Sequence, residues 1–255
     1  MKFVRFTYKG VVGFGVMESD DCIRVYDGDM FTKCEATDLT LRQADINLLP
    51  PTNPGAMIAL WNNSKQQIAK LNRETPKETL WFLKPASSFI TGGDVIVLPR
   101  GEADRVVLEG ELGIVIGRRC KGVTEEEAGD YIFGYTVVND VTAQDVVGRD
   151  ATFPQYTRGK GYDTFSVFGP CVATGVDPLT LCIESYINGD RCQDYPVTDL
   201  AFNPYQIVAN LARTMTLLPG DVIACGTSLG VKPIHSGDTV EIRISGIGSL
   251  VNRVA

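Results

Sequence analysis

The chain has 255 residues, with 31 acidic side chains, 24 basic side chains and one histidine. A hydrophobic content of 44% and a charged content of 22% are typical of a globular protein with a sizeable core. The net charge of −7 argues against a nucleic-acid partner, because phosphate backbones recruit clustered lysine and arginine. One histidine excludes Cys2His2 zinc and three-histidine zinc sites, so oxygen ligands for Mg²⁺, Mn²⁺ or Ca²⁺ are expected if a metal binds.

The cysteines and the apolar runs bear on location. Seven scattered cysteines form no C-x-x-C pair, which indicates reduced thiols in a cytoplasmic protein. We find neither the apolar core of a signal peptide nor a run of about 18 apolar residues, so we expect no export and no membrane partner. The only histidine, His235, lies in a polar turn and is expected at the surface.

The first 50 residues predict a small β-rich N-terminal unit. Residues 3–8 and 11–17 flank Lys9-Gly10, which favours a hairpin, and residues 22–26 predict a third strand. Three prolines and a glycine at 48–55 interrupt any regular element. We therefore expect one unit over residues 1–50 and a larger one over residues 56–255.

The larger unit contains two helix signals among many strands. Thr124 and Glu127 form a capping box, which predicts a helix over 124–131. Asn203-Pro204 predicts the start of a second helix, and 218–220 its end. Its apolar face would consist of Ile207, Val208, Leu211, Ala212 and Met215. Few helices among many strands predict an α+β fold with a core built on sheets.

Carboxylates interrupt two apolar stretches. In VVLEGELGIVIG at 106–117, read as one strand, Glu109 and Glu111 share a face while Leu112 and its even-numbered neighbours share the other. Asp140 interrupts a second strand-like run, YTVVNDVTAQD. Buried carboxylates that repel one another are costly, and a divalent cation held by oxygen ligands would relieve that cost. The alternative is a strand whose glutamate face meets solvent.

Two lysines and one turn are further candidates. Lys160 lies in a glycine-flanked loop, where a solvent-exposed lysine is the ordinary alternative. Lys84 follows the apolar run WFL, either as a site residue or with its head group extended to solvent. Gly226 and Thr227 follow VIAC in a turn that either presents N–H groups to a carboxylate or is a plain turn.

From about residue 58 to the C terminus, the chain resembles the fumarylacetoacetate hydrolase superfamily in the order and spacing of its motifs. The motifs are WFLKPASS, LEGELGIVIG, GVTEEEAGDYIFGYTVVNDVTAQD, KGYDTFSVFGP, LPGDVIACGTSLGV and SGDTVEIRISGIGSLVNRV. The resemblance implies a mixed β-roll or barrel-like sandwich, usually a homodimer. It also implies a Mg²⁺ or Mn²⁺ cofactor and a small 2-oxo acid substrate.

Carried over motif by motif, the resemblance implies roles for single residues. It implies that Glu109, Glu111 and Asp140 are the metal carboxylates. It implies that Lys160, with Glu109, is catalytic and contacts substrate beside the metal. Lys160 could move a proton if the metal and burial lowered its pKa. The implied substrate contacts are Lys84, Gly226, Thr227 and Gln144.

Two departures from the family pattern bear on the reaction. Many members carry Asn-Tyr-x-x-His-x-x-Glu, whose His-Glu dyad serves as a general base. Residues 59–74 contain no histidine, and Gln66 or Gln67 stands near that position. Members often have Thr-Ala-Arg-Asp after the third metal ligand, where this chain has Gln144 in place of the arginine.

The metal triad without the dyad favours decarboxylation or isomerisation of an unsaturated 2-oxo diacid through a metal-stabilised enolate, in the catabolism of aromatic compounds. Hydrolysis of a C–C bond in an acylpyruvate or fumarylacetoacetate-type substrate needs a base poised near neutral pH, so it is the alternative, together with oxaloacetate decarboxylase or tautomerase activity. A non-catalytic protein that binds a metal and a 2-oxo acid is the second alternative.

Overall fold

The computed structural model describes all 255 residues and contains twenty strands and five short α-helices. The strands are β1 (Lys2–Tyr8), β2 (Val11–Ser19), β3 (Cys22–Gly28), β4 (Cys34–Arg42), β5 (Asn47–Leu49), β6 (Met57–Trp61), β7 (Leu80–Lys84), β8 (Phe89–Ile90), β9 (Val95–Ile96), β10 (Val106–Leu108), β11 (Gly110–Ile116), β12 (Ile132–Asp140), β13 (Thr142–Ala143), β14 (Ser166–Ala173), β15 (Cys182–Ile187), β16 (Asp190–Pro196), β17 (Val222–Ala224), β18 (Lys232–Pro233), β19 (Thr239–Ile244) and β20 (Gly248–Val254). The helices are α1 (Lys65–Lys70), α2 (Glu125–Ala128), α3 (Gln144–Val147), α4 (Tyr156–Lys160) and α5 (Pro204–Thr214). The α+β prediction is confirmed.

The predicted N-terminal hairpin forms between β1 and β2. Lys9 and Gly10 both have positive φ, 49° and 80°, as a tight hairpin turn requires, and Tyr8 pairs with Val11. Strand β4 was not predicted, because most of its residues are exposed and no apolar alternation identifies it. On its other side β1 pairs with β14, so the N-terminal strands continue the main sheet.

The main sheet closes on itself. Its strand order is β4-β3-β2-β1-β14-β12-β11-β17-β6-β7. Strand β8 follows β7 after one 3-10 turn and pairs with β14, where Ser166 lies opposite Phe89. Since β7 and β8 are consecutive, the six strands from β14 to β7 form a closed loop, which is the barrel-like arrangement expected.

The barrel has an inner and an outer apolar layer. The inner layer is small and consists of Met57, Ala59, Phe82, Val115, Val138, Phe168, Val172, Val222 and Ala224. The outer layer is the main core, where Leu112 and Ile114 of β11 belong to one cluster with Ile183 and Ile242 of the second sheet, β16-β15-β19-β20-β9. The predicted alternation of faces along β11 is therefore confirmed.

The stretch 106–117 is not one strand, however. It breaks at Glu109, and the two parts belong to different sheets: β10 pairs with β13 and β18, whereas β11 pairs with β12 and β17. At the break, the Glu109 N–H donates to the Asn139 side-chain oxygen at 3.1 Å. A polar residue of the neighbouring strand thus satisfies the donor that the interrupted ladder leaves free.

Both predicted helices form. Thr124 and Glu127 make the capping box of α2, which continues into a 3-10 turn at Gly129–Tyr131. Asn203 caps α5, whose predicted apolar face is buried except for Met215, the residue at its C-cap. None of the helices is both long enough and apolar enough to span a lipid bilayer, and all seven cysteines are free thiols.

Candidate active site

Three carboxylates meet at one end of the barrel. Glu109 lies at the break between β10 and β11, Glu111 on β11, and Asp140 at the end of β12. Because Glu111 pairs with Val138, residue 140 reaches the same inner face. One oxygen of each carboxylate lies within 4.8 Å of the others. Glu111 and Asp140 are 1% and 0% exposed, so a solvent-facing glutamate strand is excluded.

Two lysines bind this carboxylate cluster. The Lys160 ammonium group, at the end of α4, lies 2.6 Å from Glu109 and 2.5 Å from Asp140. The Lys84 ammonium group, at the end of β7, binds the other oxygen of Asp140 and donates to the Phe165 carbonyl at 3.0 Å. Both side chains are buried, so neither lysine is the exposed one that the alternatives allowed.

Lys84 takes a position that the motif did not indicate. It belongs to the barrel interior behind Asp140 and does not line the cavity. A closed barrel explains this, because curling of the sheet brings the end of β7 across to the end of β12. In this structure, Lys84 is therefore a partner of Asp140, and its contact with substrate stays a prediction.

The pKa values of the cluster reflect burial and the two lysines. Burial raises the pKa of Glu109, and it raises that of Glu111 further, with help from the charges of Asp140 and Glu109. Burial also opposes ionisation of Asp140, but the lysine charges outweigh it and lower its pKa. Burial lowers the pKa of Lys84.

Lys160 behaves in the opposite way. Burial works against its charge, but Asp140 and Glu109 outweigh burial and hold its pKa above the usual value. Proton transfer by this lysine would require a lowered pKa. Without a bound cation, the pKa of Lys160 is raised instead. Lys160 is a fixed positive charge between two carboxylates.

The donor set fits a hard divalent cation. All three groups offer carboxylate oxygens, the ligands that Mg²⁺ and Mn²⁺ prefer. Glu111 has no lysine, arginine or histidine nitrogen within 4.0 Å, and its one hydrogen bond comes from the Gly226 N–H at 2.7 Å. A buried carboxylate without a cationic partner is costly, and a bound cation would remove that cost.

The cluster borders a cavity of about 460 Å³ through Glu109. Of the predicted contacts, Glu109, Lys160, Thr227 and Gln144 line it. Gly226 does not line it, and its N–H is directed at Glu111 instead of at a free carboxylate. The Thr227 hydroxyl donates to the Gly110 carbonyl at 3.0 Å, and the Gln144 side chain accepts from the Arg105 guanidinium at 2.8 Å.

No histidine lies at the cavity. Gln67 lines it and donates to the Ser228 carbonyl at 3.0 Å, whereas Gln66 does not line it. His235 has a side chain 75% exposed, as expected for a surface turn. The position near the missing dyad is thus occupied by an amide that cannot accept a proton at neutral pH.

Tyr156 is a cavity residue that the sequence interpretation missed. It lies one helical turn before Lys160 on α4, so both side chains reach the same wall. Its ring stacks on Phe82 and packs against Trp61, each at 5.6 Å between centroids. Its hydroxyl makes no hydrogen bond within the protein, and burial raises its pKa. The four-residue spacing from Lys160 was the signal that could have identified it.

A buried network anchors the helix that forms one wall of the cavity. The Asp199 carboxylate accepts hydrogen bonds from Ser64 at 2.6 Å, Ser228 at 2.7 Å and the Gln66 N–H at 3.1 Å. Ser64 also caps α1 by accepting from the Gln67 N–H. One carboxylate therefore connects α1 to the turn that carries Thr227.

The chain belongs to the fumarylacetoacetate hydrolase superfamily. Residues 56–255 match the model described as fumarylacetoacetate (FAA) hydrolase C-terminal, and residues 1–51 match the model described as Rv2993c-like, N-terminal. An uncharacterised protein of Archaeoglobus fulgidus is 39% identical over 248 residues, 97% of this chain and 94% of the relative. The mitochondrial oxaloacetate tautomerase fahd2 of Xenopus laevis is 36% identical over 225 residues, 84% of this chain and 70% of the relative.

Three solved structures with the same fold are named as enzymes. The 5-carboxymethyl-2-hydroxymuconate delta-isomerase of Mycobacterium smegmatis has a TM-score of 0.92 at 37% identity, over 100% of this chain and 99% of the other. The 2-hydroxyhepta-2,4-diene-1,7-dioate isomerase of Mycobacterium marinum has a TM-score of 0.91 at 36% identity, over 100% and 98%. A maleylpyruvate hydrolase of Sphingobium sp. SYK-6, in complex with manganese(II) ion and pyruvate, has a TM-score of 0.82 at 27% identity, over 100% and 99%.

Proposed function

We propose that the protein is a divalent-metal-dependent enzyme that isomerises or decarboxylates an unsaturated 2-oxo diacid. The observation that carries this proposal is the cluster of Glu109, Glu111 and Asp140 next to a cavity that Glu109 and Lys160 line. The two isomerases at 36% and 37% identity support the isomerase reading. The tautomerase relative supports proton transfer next to a 2-oxo group.

The three carboxylates would hold Mg²⁺ or Mn²⁺. When bound, such a cation withdraws electron density from a 2-oxo group and makes the neighbouring carbon more acidic. Lys160 stands beside two of the carboxylates and presents positive charge to the cavity. It is placed to stabilise negative charge that develops on a substrate oxygen.

A proton must also move in an isomerisation. In the cavity wall, the Tyr156 hydroxyl is available, because it has no partner within the protein. Burial raises its pKa, so this hydroxyl is protonated at neutral pH. It would donate this proton to the substrate, and the phenolate that forms would take up the proton that the substrate releases. Decarboxylation requires fewer groups in the cavity wall, because the electron pair left behind when CO₂ departs passes to the 2-oxo group.

Hydrolysis of a C–C bond is the second candidate. The maleylpyruvate hydrolase relative favours it. It requires a base that activates water, yet Glu109 is the only carboxylate of the cavity wall and its oxygen binds Lys160. Gln67 cannot act as that base. The hydrolase therefore ranks below the isomerase or decarboxylase.

Substrate assays with product analysis test the proposal. Purified protein with Mg²⁺ or Mn²⁺ is incubated with oxaloacetate, an acylpyruvate and 2-oxohepta-3-ene-1,7-dioate. Ultraviolet absorbance follows tautomerisation or isomerisation, and CO₂ and pyruvate are measured separately. We expect isomerisation or CO₂ release that stops in a Glu109→Ala variant of unchanged fold. Rapid release of acid and pyruvate from the acylpyruvate without CO₂ would restore the hydrolase.

Turnover of no compound, with cation binding intact, would favour a non-catalytic protein that binds a metal and a 2-oxo acid. The homodimer and the cytoplasmic location stay predictions. Light scattering on the purified protein tests the former, and fractionation of the source cells tests the latter.

A further inference from the structure

The cavity has a cationic side formed by Lys70 at the end of α1 and Arg73 just beyond it. Both line the cavity, and both are exposed. Neither has a carboxylate within 4.0 Å, whereas ten of the eleven ion pairs in the protein are made by other lysines and arginines. These two charges are therefore unpaired and face the same space as Lys160.

Arg73 is held in position although it has no acidic partner. Its guanidinium carbon lies 4.8 Å from the centre of the Trp61 ring, and a guanidinium N–H donates to the Asn62 side-chain oxygen at 3.4 Å. Stacking on an aromatic face leaves the edge of a guanidinium group free for two parallel hydrogen bonds. A carboxylate is the group whose geometry matches that edge.

An aromatic wall connects Arg73 to the carboxylate cluster. Arg73 lies on Trp61, Trp61 packs against Tyr156, and Tyr156 stacks on Phe82. At the other end, the Lys160 ammonium group lies 5.4 Å from the Phe82 ring centre. This row of rings thus has a positively charged side chain at each end, and Trp61 and Tyr156 of the row line the cavity. An elongated anion with a charge at each end and a planar middle complements it.

We propose that Arg73, with Lys70 beside it, binds the distal carboxylate of a 2-oxo dicarboxylic acid whose 2-oxo acid end lies at the carboxylate cluster. The inference rests on the proposed function and adds the subsite that selects diacids over monoacids. A monoacid leaves Arg73 facing water and gains nothing from it. The guanidinium is already oriented by Trp61, so little ordering is needed when the diacid binds.

Equilibrium binding of a matched ligand pair tests the subsite. Both ligands are titrated into the protein by calorimetry with saturating Mg²⁺. 2-Oxoglutarate has a distal carboxylate, whereas 2-oxopentanoate has a methyl group at the end of a chain of the same length. Oxalate, which has only the chelating end, measures binding at the carboxylate cluster alone. We expect the wild-type protein to bind the diacid about tenfold more tightly than the monoacid. Arg73→Met removes this preference and leaves oxalate affinity unchanged, and Lys70→Met reduces the preference.

Controls separate this subsite from overall charge and from the proposed function. Lys77→Met makes the same change in net charge at an exposed residue outside the cavity and should keep the preference. A full preference in Arg73→Met overturns the inference, as does equal binding of the two oxo acids by the wild type. Failure of oxalate and both oxo acids to bind with Mg²⁺ overturns the proposed function as well.

Discussion

The Lys160 ammonium group lies 2.6 Å from a Glu109 oxygen, which joins helix α4 to the break between β10 and β11. The same ammonium group reaches Asp140, and Lys84 binds the far oxygen of Asp140. Glu111 is the only one of the three carboxylates without an ammonium partner. When all three carboxylates are ionised, the cluster carries three negative and two positive charges, and the uncompensated one is at Glu111.

A Glu111→Gln variant should lose stabilisation by divalent cations. A cation that binds only the folded protein stabilises it by about 2.7 kcal/mol at a hundredfold excess over Kd. The neutral amide removes one ligand and the charge that the lysines do not balance. Thermal unfolding with and without Mg²⁺ measures the effect. Glu78→Gln, an exposed site, should keep the full upward shift. An equal shift in Glu111→Gln would place the ion elsewhere.

A Lys84→Met variant should be less stable in the absence of divalent cations. Removal of one partner of a buried ion pair costs about 3–5 kcal/mol, because the other charge stays buried. Asp140, which is fully buried, would keep only Lys160. Urea unfolding without Mg²⁺ measures the loss, and saturating Mg²⁺ should restore part of it. A free energy of unfolding unchanged within about 0.5 kcal/mol would contradict the importance of this pair.

Local signals in the sequence predicted local structure well. The Lys9-Gly10 turn and the cap at Asn203 depend on neighbouring residues, and both form as expected. The alternation along β11 is equally local, since it depends on the two-residue repeat of a strand. The family motifs named the acidic cluster, whose oxygens the structure brings together.

Contacts across the barrel could not be predicted in this way. Lys84 reaches Asp140 only because β8 closes the sheet against β14, and β8 has two residues with no periodic pattern. Asp199 meets Ser64 across 135 positions of sequence. These two contacts depend on closure of the fold rather than on neighbours in the chain. The spacing of Tyr156 from Lys160 becomes a signal only when residues 156–160 are known to form a helix, and the sequence there was interpreted as a loop.

Cys171 and Cys182 should differ in their reaction with alkylating reagents. Burial raises the pKa of Cys171 to about 11, whereas Cys182 is exposed. The reactive thiolate of Cys171 forms only as the pH rises towards that value, so at pH 8 it is a small fraction. Mass spectrometry after iodoacetamide treatment should show rapid labelling of Cys182 and slow labelling of Cys171. In urea both should react at similar rates; comparable labelling in the folded protein would contradict the burial of Cys171.

An Asp199→Ala variant should be destabilised and should bind substrate less tightly. It leaves the Ser228 hydroxyl and the Gln66 N–H without an acceptor, at about 1–3 kcal/mol for each buried donor, and leaves the Ser64 hydroxyl with Ser228 as its acceptor. Because these donors connect α1 to the Thr227 turn, we expect KM to rise more than kcat falls. Urea unfolding and steady-state kinetics measure both effects. The exposed Asp190→Ala variant is the control, and wild-type values in Asp199→Ala would refute the anchoring role.

A Tyr156→Phe variant should lose turnover without losing structure. Phenylalanine keeps the stack on Phe82 and the contact with Trp61, so the melting temperature should stay near that of the wild type. Loss of the hydroxyl removes the proposed proton donor, and a positioned acid contributes about 10²–10⁴-fold to a rate. We expect kcat for isomerisation to fall at least about a hundredfold with little change in KM. Tyr162→Phe removes a hydroxyl outside the cavity and should be fully active. Wild-type turnover in Tyr156→Phe would assign the proton transfer to another group. Lys160 would then be the first candidate, because it lies beside the carboxylate cluster and also lines the cavity.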